Sequence, residues 1–491
     1  MERNSSSDIT SEGVKEPEVI ELARVDEAKT TSKKNILYWA FYDAADTVFA
    51  MAIISITLFQ WGELAGMKEG FSFYNAHLMV STFLMISNIL VAILMPIFGA
   101  HSDIIGRRKP IVLIFASLTI ILTPLIVITR KFVLGLVIFT IANICYQAAN
   151  LYYESMLPYI SDTKSRAKVS AFAIAFGYIG TIVSVVLIFV LPILFGEATD
   201  ADDVMKYFVS REFIELNWVF WMFIFAAIFY LLLAIPFFFT KERAAKFEKR
   251  ENLSKVIRSS FVQLGRTTKE IFKENRNMVI FIFSWFLIND AIGTAIAVLV
   301  DYLREGLGFQ ERIAGVILII GIIVGIGFLY LMGPTIDKKG PKFGLVITAI
   351  TWALGIILIV LAGINSKIRF FVYIGSIFLS FGMGSVFIVG RQFILELSPP
   401  NKIGQYMGFK KISGKASAAL GPLIFSSILA SGKLLGKTIA YQLAISSLLG
   451  FFVIGVVIGL FIKNYHPLYI KGQRFPYAGE KIENEGVKDN A

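Results

Sequence analysis

The sequence predicts an all-α membrane protein with twelve transmembrane helices, arranged as two six-helix bundles related by pseudo-twofold symmetry. Its composition, its apolar segments and a repeated charged motif lead to this prediction. The 491 residues are 56% hydrophobic and only 17% charged, with a mean hydropathy of +0.69. A soluble chain of this length cannot cover so much apolar surface with so few charges, so we expect lipid to surround it.

Twelve apolar segments are each long enough to cross a bilayer, which takes about 20 helical residues. The predicted organisation is a tail, 1–34, a first bundle, 35–239, a connector, 240–277, a second bundle, 278–462, and a C-terminal tail, 463–491. We expect one or two amphipathic helices in the connector, as a tether along the membrane surface or as a basic segment that binds anionic lipid. The predicted spans are 35–60, 76–100, 111–129, 132–156, 169–195, 217–239, 278–300, 313–334, 345–363, 368–392, 405–430 and 438–462.

A short charged link recurs between the second and third spans of each half, at 99–110 and at 333–342. Each copy has an Asp, then a Gly three residues later, then cations. The two aspartates, Asp103 and Asp337, are 234 residues apart. A repeat at this spacing predicts one six-span unit used twice in the same orientation, with the symmetry axis along the membrane normal.

The distribution of basic residues predicts the orientation. With the N-terminus inside, the segments on the cytoplasmic side carry 32 of the 47 Lys and Arg residues and the other side carries 11. Cytoplasmic loops hold such an excess, so we expect both termini in the cytoplasm and the chain in the plasma membrane. The net charge of +11 therefore reflects topology, and nucleic acid is not an expected partner.

Ionisable side chains are few in the predicted spans, and each is costly there, by about 2.5–3.5 kcal/mol on insertion scales. Spacings of four, three and four place the polar residues of the fourth span on one helical face. Spans three, six, nine and twelve have no charge in their interiors and can therefore face lipid. The polar residues within the spans are Asp43 and Asp46, Asn143, Gln147, Asn150 and Glu154, Asn289 and Asp290, Arg391, and Lys410, Lys411 and Lys415.

Depth in the membrane separates these candidates. Asp46, Asp290 and Lys415 lie near the predicted midplane, roughly 17–18 Å from the cytoplasmic end for the two carboxylates. We expect a midplane carboxylate to be stabilised by protonation or by a cation such as Lys415, whereas Lys410 and Lys411 are expected to reach the interface. The predicted solute-binding or coupling residues are Asp43, Asp46, Asn143, Gln147, Asn150, Asp290 and Lys415.

Three further stretches, together with the link at 99–110, resemble a known family. The link resembles that of the major facilitator superfamily. Residues 42–46 (Tyr-Asp-Ala-Ala-Asp) resemble the Tyr-Asp-Trp-Ala-Asn of the autophagy-linked vacuolar amino-acid effluxers and their prokaryotic relatives. Residues 152–158 and 414–422 resemble that branch's Tyr-Asn-Ala-Phe-Leu-Pro and Gly-Lys-Ser-Ser-Ser-Phe-Leu-Gly-Pro stretches. The chain departs from the first pattern at Ala44 and Asp46.

This resemblance implies solute transport by alternating access, with spans one, four, seven and ten around a central cavity. It also implies that spans two, five, eight and eleven form the contact between the halves, where the charged link acts as a cytoplasmic latch. In this latch an Asp lies near a helix N-terminus of the other half. Glu154 is expected to pair with Arg107, and Arg391 with Asp337. The residues assigned to the latch are Asp103, Gly106, Arg107, Arg108, Glu154, Asp337 and Arg391.

The sequence contains no metal-ligand cluster, phosphate-binding loop or nucleophile motif, so we expect neither an enzyme nor a cofactor. We predict a monomer in the bilayer that moves a small polar solute, in exchange or together with protons. Opposite charges in one cavity suit a zwitterion such as an amino acid. A receptor or scaffold of the same fold without transport activity, and an exporter of drugs or other metabolites, are the alternatives.

Overall fold

A computed structural model describes residues 32–105, 107–196, 198, 217–242, 253–399, 401–417, 420–430 and 436–470. These residues contain twelve helices that are long and apolar enough to cross a membrane, which confirms the predicted number, and no strand. Most of the two predicted tails lies outside the described residues, and the predicted domain boundaries stay predictions. The spans are Lys33–Lys68, Phe73–Ile105, Lys109–Ile128, Phe132–Ser155, Thr163–Leu194, Trp218–Phe239, Arg276–Asp301, Glu311–Lys339, Pro341–Leu361, Phe371–Leu397, Ile403–Leu429 and Lys437–Leu460.

The first and eleventh spans are interrupted within their length. The first changes from α-helix to a π-helical segment at Phe49–Thr57 and back to α-helix at Leu58. In this segment the hydroxyls of Ser55 and Thr57 donate to carbonyls five residues earlier. Such wide turns are rare and occur frequently at functional sites. The eleventh span comprises the helical segments Ile403–Ser417 and Leu420–Leu429.

The two halves repeat one packing pattern, which confirms the predicted pseudo-twofold fold. In the first half, the third span packs on the fourth, the second on the fourth and the first on the sixth. In the second half, the ninth packs on the tenth, the eighth on the tenth and the seventh on the twelfth. The second span contacts the eleventh and the fifth contacts the eighth, so these two pairs join the halves.

Glycines allow the second and eleventh spans to touch. A Cβ at Gly99 would collide with the carbonyl of Gly404, and one at Gly408 would lie 2.8 Å from the carbonyl oxygen of Met95. In the eighth span Gly333 also serves the contact between the halves, because a Cβ there would lie 2.8 Å from the Cα of Lys168 in the fifth span. Other glycines of the fifth and eighth spans face their own half. A Cβ at Gly180 would collide with the first span at Ala44. Those of the eighth span, Gly321 and Gly325, face Ser380 of the tenth, within their own half.

The connector contains one described helix, Leu253–Glu274, of the one or two that the sequence predicts. This connector helix packs against the second span and the start of the seventh.

The first span begins and the twelfth span ends at the same end of the molecule, which we call the terminal end. Short helices outside the spans are Leu157–Ile160, Tyr302–Gly306, Ser366–Ile368 and His466–Ile470, and 3₁₀ turns at Thr163–Ser165 and Ile235–Phe239 begin the fifth span and end the sixth.

Candidate functional site

A buried cluster of charged side chains joins the halves within about 20 Å of the terminal end, at 1.5 Å of rise per helical residue. We call it the central charge cluster. The first and fourth spans provide its three carboxylates, and the tenth and eleventh provide its three cations. Lys411 is partly buried and the other members are buried. The cluster comprises Asp43, Asp46, Asn150, Glu154, Arg391, Lys410 and Lys411.

Arg391 connects two carboxylates of the other half. Its Nε donates to Glu154 Oε1 at 3.2 Å, and its Nη1 lies 3.5 Å from Asp43 Oδ2. The expected pairs of Glu154 with Arg107 and of Arg391 with Asp337 are therefore wrong. The tenth span turns Arg391 towards the first and fourth spans, whereas Arg107 is exposed at the terminal end.

The expectation that Lys410 and Lys411 reach the interface is also wrong. Lys410 is 5% exposed, and its Nζ lies 3.7 Å from Glu154 Oε2 and 5.1 Å from the ring centroid of Trp285. The Nζ of Lys411 lies 3.9 Å from the same Glu154 oxygen and donates to Asn150 Oδ1. Carboxylate and ring contacts compensate a buried ammonium group for its lost water.

A short relay of polar groups extends from Lys411 to the first span. Asn150 accepts from Lys411 through its carbonyl oxygen and donates through its amide to Asp46 Oδ2 at 2.6 Å. The other oxygen of Asp46 is buried without a hydrogen-bond partner in the part of the chain that the structure describes. Asn143, on the same face, donates to Ser87 of the second span at 2.7 Å. Gln147 is buried between them along the helix.

The two remaining predicted residues lie outside the central charge cluster. Asp290 is 2% exposed, and its Oδ1 accepts from the backbone N–H of Gly421 at 3.0 Å. Its other oxygen has no hydrogen-bond partner among the described residues. Lys415 is half-buried and forms no ion pair with another residue that the structure describes. The expected ion pair between Lys415 and a midplane carboxylate is therefore not observed among the described residues.

Near the terminal end, each copy of the charged link reaches the other half. Asp103 accepts from the backbone N–H groups of Gly404 and Gln405 at 2.7 and 2.9 Å. Asp337 accepts from those of Ala167 and Lys168 at 2.8 and 2.9 Å. Both pairs of donors lie in the first turn of a span, where N–H groups lack helical partners and favour an anion. The expected contact of an Asp with a helix N-terminus is thus present twice.

Arg108 supports the first of these contacts. It is 2% exposed, donates to Asp103 Oδ1 at 3.3 Å and lies 4.4 Å from the ring centroid of Tyr159. Burial lowers the pKa of its guanidinium, but Tyr159 and the carboxylates of Asp103 and Glu242 raise it above its ordinary value. Glu242 also accepts from the backbone N–H of Arg108. Gly106, assigned to the same motif, lies outside the described residues.

A second cluster at the terminal end was not predicted. His466 is 4% exposed, and its Nδ1 lies 2.7 Å from Glu396 Oε1 while its Nε2 lies 3.1 Å from the carbonyl oxygen of Asp337. Tyr469 accepts a hydrogen bond from Arg166 of the first half. The only feature of the sequence that pointed to this second cluster is a His followed by an aromatic residue shortly after the last span.

Among the residues that the structure describes, no group of three or more His, Cys, Asp or Glu side chains is arranged to hold a metal ion. The central charge cluster instead mixes both signs of charge. Such an arrangement can bind a polar solute with charges of both signs, or exchange a proton, once its own pairs separate.

Comparison with solved structures supports the fold. The chain superposes on the human organic anion transporter MFSD10 (TETRAN) with a TM-score of 0.62 at 13% identity, over 87% of this chain and 98% of that one. It superposes on a bacterial homologue of the iron transporter ferroportin in the outward-facing state with a TM-score of 0.60 at 10% identity, again over 87% and 98%. At these identities the likeness concerns the fold alone.

Sequence comparison identifies the family. An uncharacterized MFS-type transporter of Bacillus subtilis, YxiO, is 23% identical over 426 residues, which cover 86% of this chain and 94% of that one. Autophagy-related protein 22 of Yarrowia lipolytica is 27% identical over 180 residues, 34% of this chain and 30% of the yeast protein. The profile of the family described as "Vacuole effluxer Atg22 like" matches residues 31–466. The chain, a multi-pass membrane protein of the MFS transporter type, therefore belongs to the Atg22-like vacuole effluxer family.

Proposed function

We propose that this transporter moves a small zwitterionic solute, such as an amino acid, by alternating access and that it couples this movement to protons. The observation that carries the proposal is the division of charge in the central charge cluster. All three carboxylates belong to the first half and all three cations to the second. The contact between the halves is therefore built from charges that separate when the halves move apart.

Separation leaves two complementary surfaces. The spans of the first half then present Asp43, Asp46 and Glu154, and those of the second present Arg391 and Lys410. Unpaired charges in a low-dielectric crevice cost several kcal/mol each, so a solute that carries both charges can replace the lost pairs. The resemblance of the motifs at 42–46 and 414–422 to amino-acid effluxers supports the same solute class.

Asp46 is our proposed proton carrier. Its Oδ1 is buried and no described residue forms a hydrogen bond with it, and its Oδ2 connects through Asn150 to Lys411 of the other half. A proton on this carboxyl would weaken the attraction between the halves through that relay. Asp290 and Lys415 remain proposed solute contacts in the second half, with Asn143 and Gln147 lining the first.

Transport by the full chain in proteoliposomes tests this proposal. We expect uptake of a radiolabelled amino acid to be driven by a pH gradient in the wild type, and Asp46→Asn to lose gradient-driven uptake while it keeps solute counterflow. Asp301→Asn, at an exposed carboxylate, is the matched control and should behave as wild type. Gradient-driven uptake unchanged in Asp46→Asn would remove this residue from coupling.

A ligand-stabilisation screen of the purified protein identifies the solute class. Amino acids should raise the unfolding temperature, and the rise should be smaller in Lys415→Gln and Asp290→Asn. Stabilisation by drugs or organic anions alone would favour the exporter of other metabolites. The absence of flux for every solute tested would favour a receptor or scaffold.

We further propose that the chain acts as a monomer, without enzymatic activity, in the plasma membrane with both termini in the cytoplasm. The excess of Lys and Arg in the segments on that side supports the orientation. The family description refers to a vacuole, so the membrane needs a direct test. A fluorescent C-terminal fusion, examined in cells, should outline the cell, and protease should reach the fusion only after the cells are opened.

A further inference from the structure

The connector helix, Leu253–Glu274, has a divided surface. Its side towards the protein is buried at Ser260, Thr267 and Ile271. Large apolar side chains lie on the side away from the protein, with Phe261 55% exposed and Phe272 58% exposed. Exposed aromatic residues on the spans can contact the hydrocarbon of the bilayer. The connector helix lies outside the twelve spans, so its exposed aromatic residues need another explanation.

Helical geometry places cations beside these aromatic residues. At about 100° per residue, Phe261 and Phe272 lie about 20° apart, and Lys269, Lys273 and Arg266 follow between about 80° and 140°. All three cations are exposed. The acidic residues Glu270 and Glu274 fall on the opposite flank, at about 180° to 220°.

This order of side chains is typical of helices that lie in a membrane interface. Their aromatic residues enter the boundary between headgroups and acyl chains, and adjacent Lys and Arg residues contact phosphates. Such cations are attracted by the negative surface potential of anionic lipid. We propose that the exposed face of the connector helix, formed by Phe261, Val262, Arg266, Lys269, Phe272 and Lys273, binds anionic phospholipid headgroups of the surrounding bilayer.

The opposite face of the helix connects this lipid site with the contact between the halves. Thr267 Oγ1 donates to Gln405 Oε1 at 2.6 Å, and the backbone N–H of Gln405 donates to Asp103. Glu270 pairs with Lys402, just before the eleventh span. Anionic lipid that holds the connector helix in place therefore also holds the first turn of the eleventh span against Asp103.

Fluorescence quenching in vesicles tests the proposal on the full chain. The single cysteine of the sequence, Cys145, is buried, so an environment-sensitive dye can be attached selectively to Phe272→Cys. Brominated acyl chains should quench this dye at least about twofold more in vesicles with phosphatidylglycerol than in phosphatidylcholine alone. High salt should reduce the difference because it screens surface charges. The same dye on Glu274→Cys, on the opposite flank, is the matched control and should be quenched equally in vesicles with and without phosphatidylglycerol.

Charge variants connect the binding to specific residues. Lys269→Gln with Lys273→Gln, in the labelled protein, should remove the preference for phosphatidylglycerol. Lys164→Gln with Lys338→Gln removes two exposed cations elsewhere at the terminal end and should leave the preference intact. This readout does not depend on transport, so the lipid site can fail or hold independently of the proposed function.

Three outcomes would overturn the proposal. Equal quenching in neutral and anionic vesicles would show that headgroup charge is not recognised. Reversal by inorganic phosphate, at constant ionic strength, would assign the cations to a soluble anion. Strong quenching that appears only after deletion of residues 1–31 would show that this segment, and not lipid, covers the face.

Discussion

The two copies of the charged link make the same contact with different support. Asp103 and Asp337 each accept two backbone N–H groups from the first turn of a span in the other half. Asp103 is buried and paired with Arg108, which Glu242 holds in turn. Asp337 is half-buried, and its own carbonyl oxygen lies beside His466.

This difference separates a contact supported by a cation of permanent charge from one supported by a group whose charge depends on pH. An Arg keeps its charge throughout the physiological range, whereas a His changes its charge near neutrality. The helix-capping geometry is therefore the shared part of the duplicated unit. The groups that stabilise it were supplied separately in each half, by the segment just after the sixth span in one and by the segment after the twelfth in the other.

The largest difference in stability between the two copies of the link should appear when the Asp of each copy is replaced. Asp103→Ala leaves the buried Arg108 without its closest carboxylate, and breaking a buried pair costs about 3–5 kcal/mol. Asp337→Ala loses hydrogen bonds to a charged group, about 1.5–3 kcal/mol. Thermal unfolding of both purified variants should rank them in this order. An equal loss would show that Arg108 does not distinguish the two sites.

Substitution of the glycine four residues before each Asp should give a smaller difference in stability between the two copies. A Cβ at Gly99 would overlap the carbonyl of Gly404, and one at Gly333 would lie 2.8 Å from the Cα of Lys168. Overpacking costs about 1–3 kcal/mol, and we expect Gly99→Ala at the upper end and Gly333→Ala at the lower. Gly327→Ala, whose added methyl group meets no atom of the described residues within 4 Å, is the control. Thermal unfolding and counterflow should both follow this order.

The smallest effect should be the pH dependence contributed by His466. Burial lowers the pKa of its imidazole, but the hydrogen bond and charge of Glu396 and the carbonyl of Asp337 raise it above its ordinary value. A raised pKa stabilises the folded state below the ordinary pKa of about 6.5, by about 1.4 kcal/mol for each pH unit that separates the folded-state pKa from the unfolded-state pKa. This stability is lost as the pH rises through the raised value.

A pH series of unfolding temperatures in detergent measures this contribution. His466→Gln should unfold at a lower temperature than the wild type at about pH 5.5, and the difference should shrink towards about pH 9. Glu396→Gln, which removes the partner carboxylate, should show the same reduced pH dependence. A constant difference between wild type and His466→Gln at every pH would mean that the imidazole contributes by packing alone.

The spans and their duplication could be predicted because they depend on hydropathy and on a repeat that is visible in the sequence. The contact between the second and eleventh and between the fifth and eighth spans, and that of Asp103 with a helix N-terminus, were implied by the family resemblance. The partners of Arg391, Lys410 and Lys411 could not be predicted, because residue spacing gives the depth of a side chain but not the direction in which its helix faces. Depth alone placed Lys410 at the interface, whereas the structure turns it towards Glu154.

The cluster around His466 escaped prediction for a different reason. Burial of a charged or polar group can be inferred from apolar neighbours in the sequence only within the spans. His466 follows the last span and becomes buried only because the segment 463–470 folds back against Glu396 and Gly340. Such a return of the chain has no periodic signal in the sequence.

The unequal distribution of charge within the central charge cluster has a consequence for synthesis. Glu154 meets its cation partner Arg391 only 237 residues later in the chain. At about 5–20 residues per second, Glu154 waits roughly 12–47 s after its own synthesis before that arginine exists. Until then their carboxylates must stay protonated, hydrated or shielded by the insertion machinery. A truncated first half, made without the second, should therefore be recognised as unfinished and degraded.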